Sequence, residues 1–505
     1  VARRRAGAGL LGALLMLLAA SARAVEREFP RDLVQAVFAS AFEVVLERHL
    51  EAAAPAELGL WSLRGLEVLD PGLRPELSAG TLLLSDPERL LGARPVPGGP
   101  PPAAAGQLAT ALAALFEAAW RASPALRRAG AEGMLRSAFE ELFNHLDPYS
   151  RYLSAAEARA ARARRVGQSG LGLRLGAGRG GAVVVARVEE GGPAEEAGLR
   201  AGDRLLAVDG VAVSAHDLGA AVALLEGPPG SQVRLTLQRA GRRLEVVLPR
   251  LAAQPPALRA ERRQEILWLT LEVFANDTDR RLAEALAEAR RAGALRGLVL
   301  DLRGNRGGLL GQAVAVASAF LPGGVVIRTS GRHPEAERLY LADEADIAAG
   351  LPMVLLVDGR SASAAEIVAA SLSDRGRAVV AGSTTMGKGL IQVVAPLPNG
   401  GELLVTWARV LAPGGWPIQG LGVVPALCTS LGAEALAETL ARLRRGESPM
   451  APLLARLRAA RPPVPASEQV ALREACPPAE GREADLAAAQ ALLDSPPAYE
   501  AARAR

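Results

Sequence analysis

The chain is predicted to be an α/β protein: a core of alternating strands and helices, a smaller β-rich domain inserted before it, and helical regions at both ends. Three observations carry this. From Ile266 onward, short apolar runs alternate with amphipathic stretches, the texture of a mostly parallel sheet with covering helices. Between Val166 and Pro249 the chain turns to short β-branched runs separated by glycine turns. The flanks are rich in Ala, Leu and Arg at helical spacing. At 505 residues, half of them apolar, the chain has room for about two to four domains.

Taken in order, residues 1–24 read as an export signal. Arg3-Arg4-Arg5 is the charged part, Leu10 to Ala20 the apolar part, and Ala22-Arg23-Ala24 the cleavage site. The apolar run falls short of the roughly 20 residues that span a bilayer. An exported, periplasmic protein follows, with membrane association only if the segment is retained as an anchor. Residues 25–165 read as helical, with amphipathic stretches at Leu33–Leu50 and Gln107–Trp120 and a linker at Pro95–Pro102. Leu58–Leu84 is ambiguous and has room for a small strand pair.

In the 166–250 domain, Gly181–Glu189 and Gln232–Gln238 read as strands and Arg242–Leu248 as the second arm of a hairpin. Helices are expected at Pro193–Gly198 and Ala215–Glu226, and Gln254-Pro255-Pro256 is the following linker. In the 257–432 core, strands are expected at Ile266–Leu271, Gly297–Asp301, Val325–Arg328, Met353–Asp358, Ala378–Ala381, Ile391–Ala395 and Glu402–Leu411. Helices are expected at Thr278–Ala292, Leu309–Phe320 and Ser363–Asp374. Residues 433–505 return to helix and then to a Pro-rich stretch.

The net charge of +4 is slight for this length, and no basic stripe is interleaved with aromatics, so no nucleic-acid partner is expected. Cys428 and Cys476 are free to pair in an oxidising compartment, and neither has metal-ligand neighbours.

Lys388 is the only lysine; every other one of the 58 basic residues is arginine. Arginine stays protonated at physiological pH, whereas a desolvated lysine can lose its proton. The position that kept lysine is therefore a candidate for a neutral amine. Its neighbours are small or apolar, and no acid lies within eight positions. A serine hydroxyl needs a base to remove its proton. The four histidines, His49, His145, His216 and His333, all lie outside the strand–helix motifs. Gly359-Arg360-Ser361-Ala362-Ser363-Ala364-Ala365-Glu366 is a serine cluster opening a helix. A hydroxyl there projects at the helix N-terminus, where the Ala364 amide faces a developing oxyanion. The glycine-rich turn Asp301–Gly308 exposes further amides.

These motifs resemble the C-terminal processing peptidases, also called tail-specific proteases, which are exported Ser/Lys endopeptidases. The matching stretches are Gly297–Gly308, Val357–Glu366, Asp374–Val380, Gly387-Lys388-Gly389-Leu390-Ile391-Gln392 and Gly422-Val423-Val424-Pro425, with a lead-in at Leu146–Leu153. The resemblance implies a crotonase-like ββα-superhelix core and no metal or organic cofactor. It makes Ser363 the nucleophile, since the interval of 25 residues to Lys388 is the family's and excludes the neighbouring Ser361. Lys388 becomes the general base and Gln392 the residue that orients it. The amides of Ala364 and of Gly307 or Gly308 become the oxyanion donors, with Glu366 and Asp374 in support. The chain departs from the pattern at Met386, Arg306 and Ala426.

The Val166–Pro249 segment resembles a PDZ domain. Gly170, Leu171, Gly172 and Leu173 fit its carboxylate-binding loop, and Pro193–Leu199 with Gly202–Gly210 fit its middle. The implied partners are protein or peptide substrates with apolar C-termini, added to the sheet as an extra strand.

Other readings compete. Ser363-Ala364-Ala365-Glu366 is also a capping box, in which the serine only starts a helix. The Arg303 turn lacks the Gly-Lys-Ser/Thr ending of a phosphate loop. Asp374 with Arg375 reads equally as a surface ion pair. A non-catalytic PDZ-based adaptor and a crotonase-type acyl-CoA enzyme are the rival functions.

Overall fold

Three central strands of the core sheet run parallel and are buried along their whole length, which explains why they read as near-continuous apolar runs. The structure is a computed structural model that describes residues 28–166, 169–188, 193–214, 218–225, 227, 230–252, 258–343 and 346–503. The expected signal segment and the Gln254-Pro255-Pro256 linker lie outside the described residues.

Two compact units are present. The first contains the residues up to Glu47, Ala53–Ser154 and Ala395–Leu403. Its helices Arg31–Arg48, Pro55–Leu69, Pro101–Ala122 and Pro124–Leu146 bury an aromatic cluster of Phe38, Phe42, Phe116 and Phe139. The ambiguous stretch Leu58–Leu84 divides between helix Pro55–Leu69 and the first two strands of a three-stranded meander, Arg74–Ser78, Thr81–Ser85 and Leu90–Pro95. The linker expected at Pro95–Pro102 is shorter than that: Pro95 ends a strand, and Pro101 and Pro102 sit in the first turn of the next helix, where missing N–H groups cost nothing.

The second unit contains Arg48–Ala52, Ala155–Val394 and Leu404–Arg505. Within it, strands Leu173–Ala177, Val183–Val188, Arg204–Val208, Val211–Ala212, Gln232–Arg239 and Arg242–Pro249 form a small antiparallel sheet. Strand Gln232–Arg239 pairs with Arg242–Pro249 as the expected hairpin. Among the described residues, strand Leu173–Ala177 ends the sheet order and pairs on one side only, with Val183–Val188.

The core follows, and its elements are labelled from here. Strands β1 (Leu258–Arg263) and β2 (Ile266–Leu271) form a hairpin; β3 (Gly297–Asp301), β6 (Met353–Val357), β7 (Val379–Gly382) and β10 (Leu427–Cys428) continue the sheet in the order β1-β2-β3-β6-β7-β10. All pairings from β2 to β10 are parallel. Helices α1 (Thr278–Arg291), α2 (Leu310–Ser318) and α3 (Ala364–Asp374) make the crossovers. A second sheet has the order β5 (Arg338–Ala342), β4 (Gly324–Ser330), β9 (Glu402–Leu411), β8 (Leu390–Pro396). Strands β1 and β5 were not expected. Both lie at sheet edges with mostly exposed residues, so neither carries the apolar alternation that marks a buried strand.

The C-terminal region adds α4 (Ala433–Arg444), α5 (Ala451–Ala459), α6 (Ala466–Glu474), α7 (Glu483–Leu493) and α8 (Pro496–Arg503). These helices belong to the core: Leu443, Leu457, Leu472 and Leu492 are buried in its main cluster. The Tyr499 hydroxyl accepts from the Met353 amide at 2.8 Å, so the last helix pins the start of a central strand. Cys428 and Cys476 are disulfide-bonded, their Cα atoms 5.8 Å apart. No described helix is long and apolar enough to cross a membrane.

Candidate active site

Strand β6 ends at Val357, and the turn to α3 is built around Asp358. Its Oδ1 accepts from the amides of Gly304 at 2.9 Å, Arg360 at 3.0 Å and Ser361 at 2.9 Å. Ser361 is consumed by the same turn: it is buried, and its hydroxyl donates to the Leu302 carbonyl at 2.8 Å while accepting from the Asp358 amide. That geometry removes Ser361 from contention as a nucleophile. Ser363, two residues on, has φ 56° and ψ −115°, a left-handed backbone that costs a side-chain-bearing residue about 1–3 kcal/mol. Its hydroxyl makes no capping hydrogen bond. Only half of the capping box exists, the Glu366 carboxylate accepting from the Ser363 amide at 2.8 Å.

The glycine-rich turn after β3 presses against this serine. Asn305 is fully buried; its side chain donates to Leu271 O and its carbonyl accepts from the Ala362 amide at 2.9 Å. A Cβ on Gly307, at φ 103°, would lie 2.9 Å from both Ala362 O and the Ser363 Cβ, so glycine alone permits the approach. Of the two glycines expected as oxyanion donors, Gly307 is engaged: its amide donates to Asn305 Oδ1 at 2.8 Å. The Gly308 amide has no acceptor among the described residues, and neither has that of Ala364, the first residue of α3. Arg306 is exposed.

The Lys388 loop runs from Ser383 to Gly389, between β7 and β8. Glu366, fully buried on α3, holds it. Its Oε1 accepts from the Thr385 hydroxyl and from the Gly387 amide at 2.6 Å; its Oε2 accepts from the amides of Ser363 and Lys388, both at 2.8 Å. Burial pushes the Glu366 carboxyl above the ordinary glutamate range, and its four donors pull the other way. The loop was expected to lack acidic company, and within eight sequence positions it does. The fold supplies Glu366 instead, bonded to the lysine's own backbone amide. Lys388 itself is half-buried rather than sealed from water.

Ser363, Ala364, Gly308, Lys388 and Gln392 line one cavity of about 330 Å³, whose remaining wall is apolar and includes Leu310, Ile367, Leu404 and Ile418. Asp374 does not join them. The partners of Asp374 differ from the competing reading of a surface pair with Arg375: it accepts from the Gly414 amide at 2.9 Å and the Trp416 indole at 2.8 Å, and pairs with Arg458 at 3.2 Å. Arg375 instead donates to Gly323 O. Asp374 is thus a brace between α3, the loop after β9 and α5. His333 lies outside the cavity. A larger cavity of about 660 Å³, lined by Arg259, Arg263, Arg303 and Arg360 among acidic partners, contains no serine or lysine. Among the described residues no cluster of His, Cys, Asp and Glu is arranged to hold a metal ion. Asn305 and Thr385 were missed as site residues; their roles rest on contacts distant in sequence, and no local motif announces them.

In the small domain, Gly170 pairs with Leu251 in a two-stranded ladder. Leu171 is buried, with its carbonyl accepting from the Ala194 amide at 2.8 Å. Gly172 takes φ 68°, and Leu173 begins the edge strand, which packs against helix Leu218–Leu225 over a core of Val183, Val185, Ala221 and Leu235.

Residues 265–427 match Peptidase family S41, and residues 184–239 match a PDZ domain. The carboxy-terminal-processing protease of Bartonella bacilliformis is 34% identical over 298 residues, 58% of this chain and 68% of that protein. The chloroplastic C-terminal processing peptidase of Tetradesmus obliquus is 35% identical over 302 residues, 55% of this chain and 64% of that protein. The carboxyl-terminal-processing protease of Synechocystis is 33% identical over 299 residues, 57% of this chain and 69% of that protein. The chain belongs to peptidase family S41, the serine-type carboxy-terminal-processing peptidases, and includes a PDZ domain.

Proposed function

We propose that the chain is an exported endopeptidase in which Ser363 attacks the scissile carbonyl and Lys388 is the general base. The observation that carries this is the shared cavity: Ser363 with its positive φ, the only lysine of the sequence, Gln392 and two amides without acceptors among the described residues all line it. Lys388 takes the Ser363 proton as Oγ bonds to the substrate carbonyl carbon. The carbonyl oxygen becomes an oxyanion facing the amides of Gly308 and Ala364. Lys388 then passes the proton to the departing amine, leaving an acyl-enzyme. Water, deprotonated by the same lysine, attacks it and frees Ser363. Gln392, on β8 beside the loop, orients the amine. The apolar wall of the cavity fits an apolar side chain next to the cleaved bond.

The PDZ domain would select the substrate. A chain ending in an apolar residue adds to the open edge of Leu173–Ala177, with its carboxylate on the Gly170–Leu173 loop. The βα crossovers of the core accord with a crotonase-like ββα superhelix. Export is supported by the N-terminal pattern and by the Cys428–Cys476 disulfide, a bond that persists in oxidising compartments.

The test is incubation of the purified chain with an unfolded polypeptide ending in apolar residues, beside Ser363→Ala and Lys388→Arg. Cleavage by the parent alone supports the proposal. Equal cleavage by all three assigns the activity elsewhere, and no cleavage by any favours a peptide-binding adaptor.

A further inference from the structure

The loop that carries Lys388 is held from two directions. Glu366 grips one side through the amides of Gly387 and Lys388. The segment 418–423 grips the other: Gly420 donates to Gly387 O at 3.0 Å, Val423 to the Thr385 hydroxyl at 2.7 Å, and Thr385 back to Val423 O at 3.2 Å. Across both lies a side chain from the C-terminal region, to which the sequence assigned no role. Arg473, near the end of α6, donates from Nη1 to Thr385 O at 3.0 Å and to Leu421 O at 3.0 Å. The same nitrogen lies 3.2 Å from where a Cβ on Gly387 would stand and 2.9 Å from one on Gly422, so both glycines make room for it. Burial pulls this guanidinium below the usual arginine range, while the charge of Glu366 favours it. The neighbours of Arg473 are fixed too: Leu472 is fully buried, and Cys476 is disulfide-bonded to Cys428 at the end of the sheet.

We infer that Arg473 is a positioning residue for Lys388. By tying the carbonyls of two loops with one nitrogen, it sets the path of the Ser383–Gly389 segment and hence where the lysine amine stands in the cavity. The inference rests on Lys388 being the base of the proposed reaction. A bland role, in which Arg473 merely glues α6 to the core, makes a different prediction: losing it would lower stability and leave turnover per folded molecule intact.

The experiment compares the disulfide-intact full chain with Arg473→Ala, Arg473→Lys and Ser363→Ala on a fluorogenic, unstructured peptide with an apolar C-terminus. Measurements are made below each variant's unfolding transition. For Arg473→Ala we expect kcat to fall about 10- to 100-fold with KM unchanged, the scale at which a displacement of about 1 Å acts. Arg473→Lys should recover most of kcat, because an ammonium has donors enough for both carbonyls. Parental kcat in Arg473→Ala would overturn the inference while leaving the Ser/Lys reading standing, as would a loss that tracks unfolding and that lysine does not rescue. Absence of Ser363-dependent cleavage in the parent would remove the Ser/Lys reading and this inference together.

Discussion

Oε2 of Glu366 accepts the backbone amide of Lys388 at 2.8 Å, and the same oxygen accepts the amide of Ser363 at the same distance. One buried carboxylate therefore fixes the separation of two backbone segments that lie 25 residues apart in sequence. In helix α3 this glutamate looks like a capping residue. In the folded chain its second function is to place the lysine loop beside the serine turn.

Glu366→Gln is predicted to be severely impaired. The carboxylate accepts four hydrogen bonds, and three of its donors are backbone amides that cannot reverse roles. A carboxamide nitrogen must face two of those donors in a buried site, leaving groups unsatisfied at about 1–3 kcal/mol each. Denaturant unfolding should show that loss, and kcat should fall further than the fraction folded.

Gly307→Ala tests the serine turn from the opposite side. The added methyl meets the Ala362 carbonyl and the Ser363 Cβ at 2.9 Å, from a backbone at φ 103° that alanine rarely adopts. The turn and the Gly308 amide must move apart from Ser363, so kcat should fall about 100-fold or more. A variant with parental kcat would mean that the close approach is unimportant to the reaction.

These two residues show how much was legible beforehand. The strand–turn–helix around Ser363, the lysine motif and the glycine turn are local patterns, and each was found where expected. What stayed hidden depends on partners far away in sequence. Asn305 decides that Gly308 rather than Gly307 has its amide free, Asp374 braces Trp416 instead of pairing with Arg375, and Arg473 reaches the lysine loop across 88 positions. The exposed strands Leu258–Arg263 and Arg338–Ala342 were missed for a related reason: an edge strand has no obligation to be apolar.

The disulfide is expected to stabilise the C-terminal helices. Cys428 and Cys476 enclose a sequence separation of 48 residues, and cross-linking a loop of that size typically contributes about 2–4 kcal/mol. Cys428→Ser/Cys476→Ser should unfold at correspondingly lower denaturant, and a reductant should do the same to the parent chain. Coincident unfolding curves with and without reductant would contradict this.

Acid should weaken the PDZ domain through Asp203. Its buried carboxylate takes Arg239 Nε at 2.7 Å, Arg239 Nη2 at 2.6 Å and the Arg200 amide at 2.8 Å; these bonds, the Arg239 fork foremost, hold its pKa below the usual aspartate range. A depressed folded-state pKa contributes stability that is present above the unfolded value of about 3.9 and is lost as pH falls through the folded one. Asp203→Asn should therefore lower stability at neutral pH and flatten its decline below about pH 4. Parallel pH profiles for the two proteins would exclude this role.

The central claim is that Lys388 activates Ser363, and covalent labelling reads it most directly. The chain is treated with a fluorophosphonate, the modified residue is located by peptide mass spectrometry, and the labelling rate is compared with that of Lys388→Arg. We predict a single adduct on Ser363, formed about 10²–10⁴-fold more slowly when the lysine is replaced. An adduct on another residue, or equal rates in the two proteins, would contradict the account.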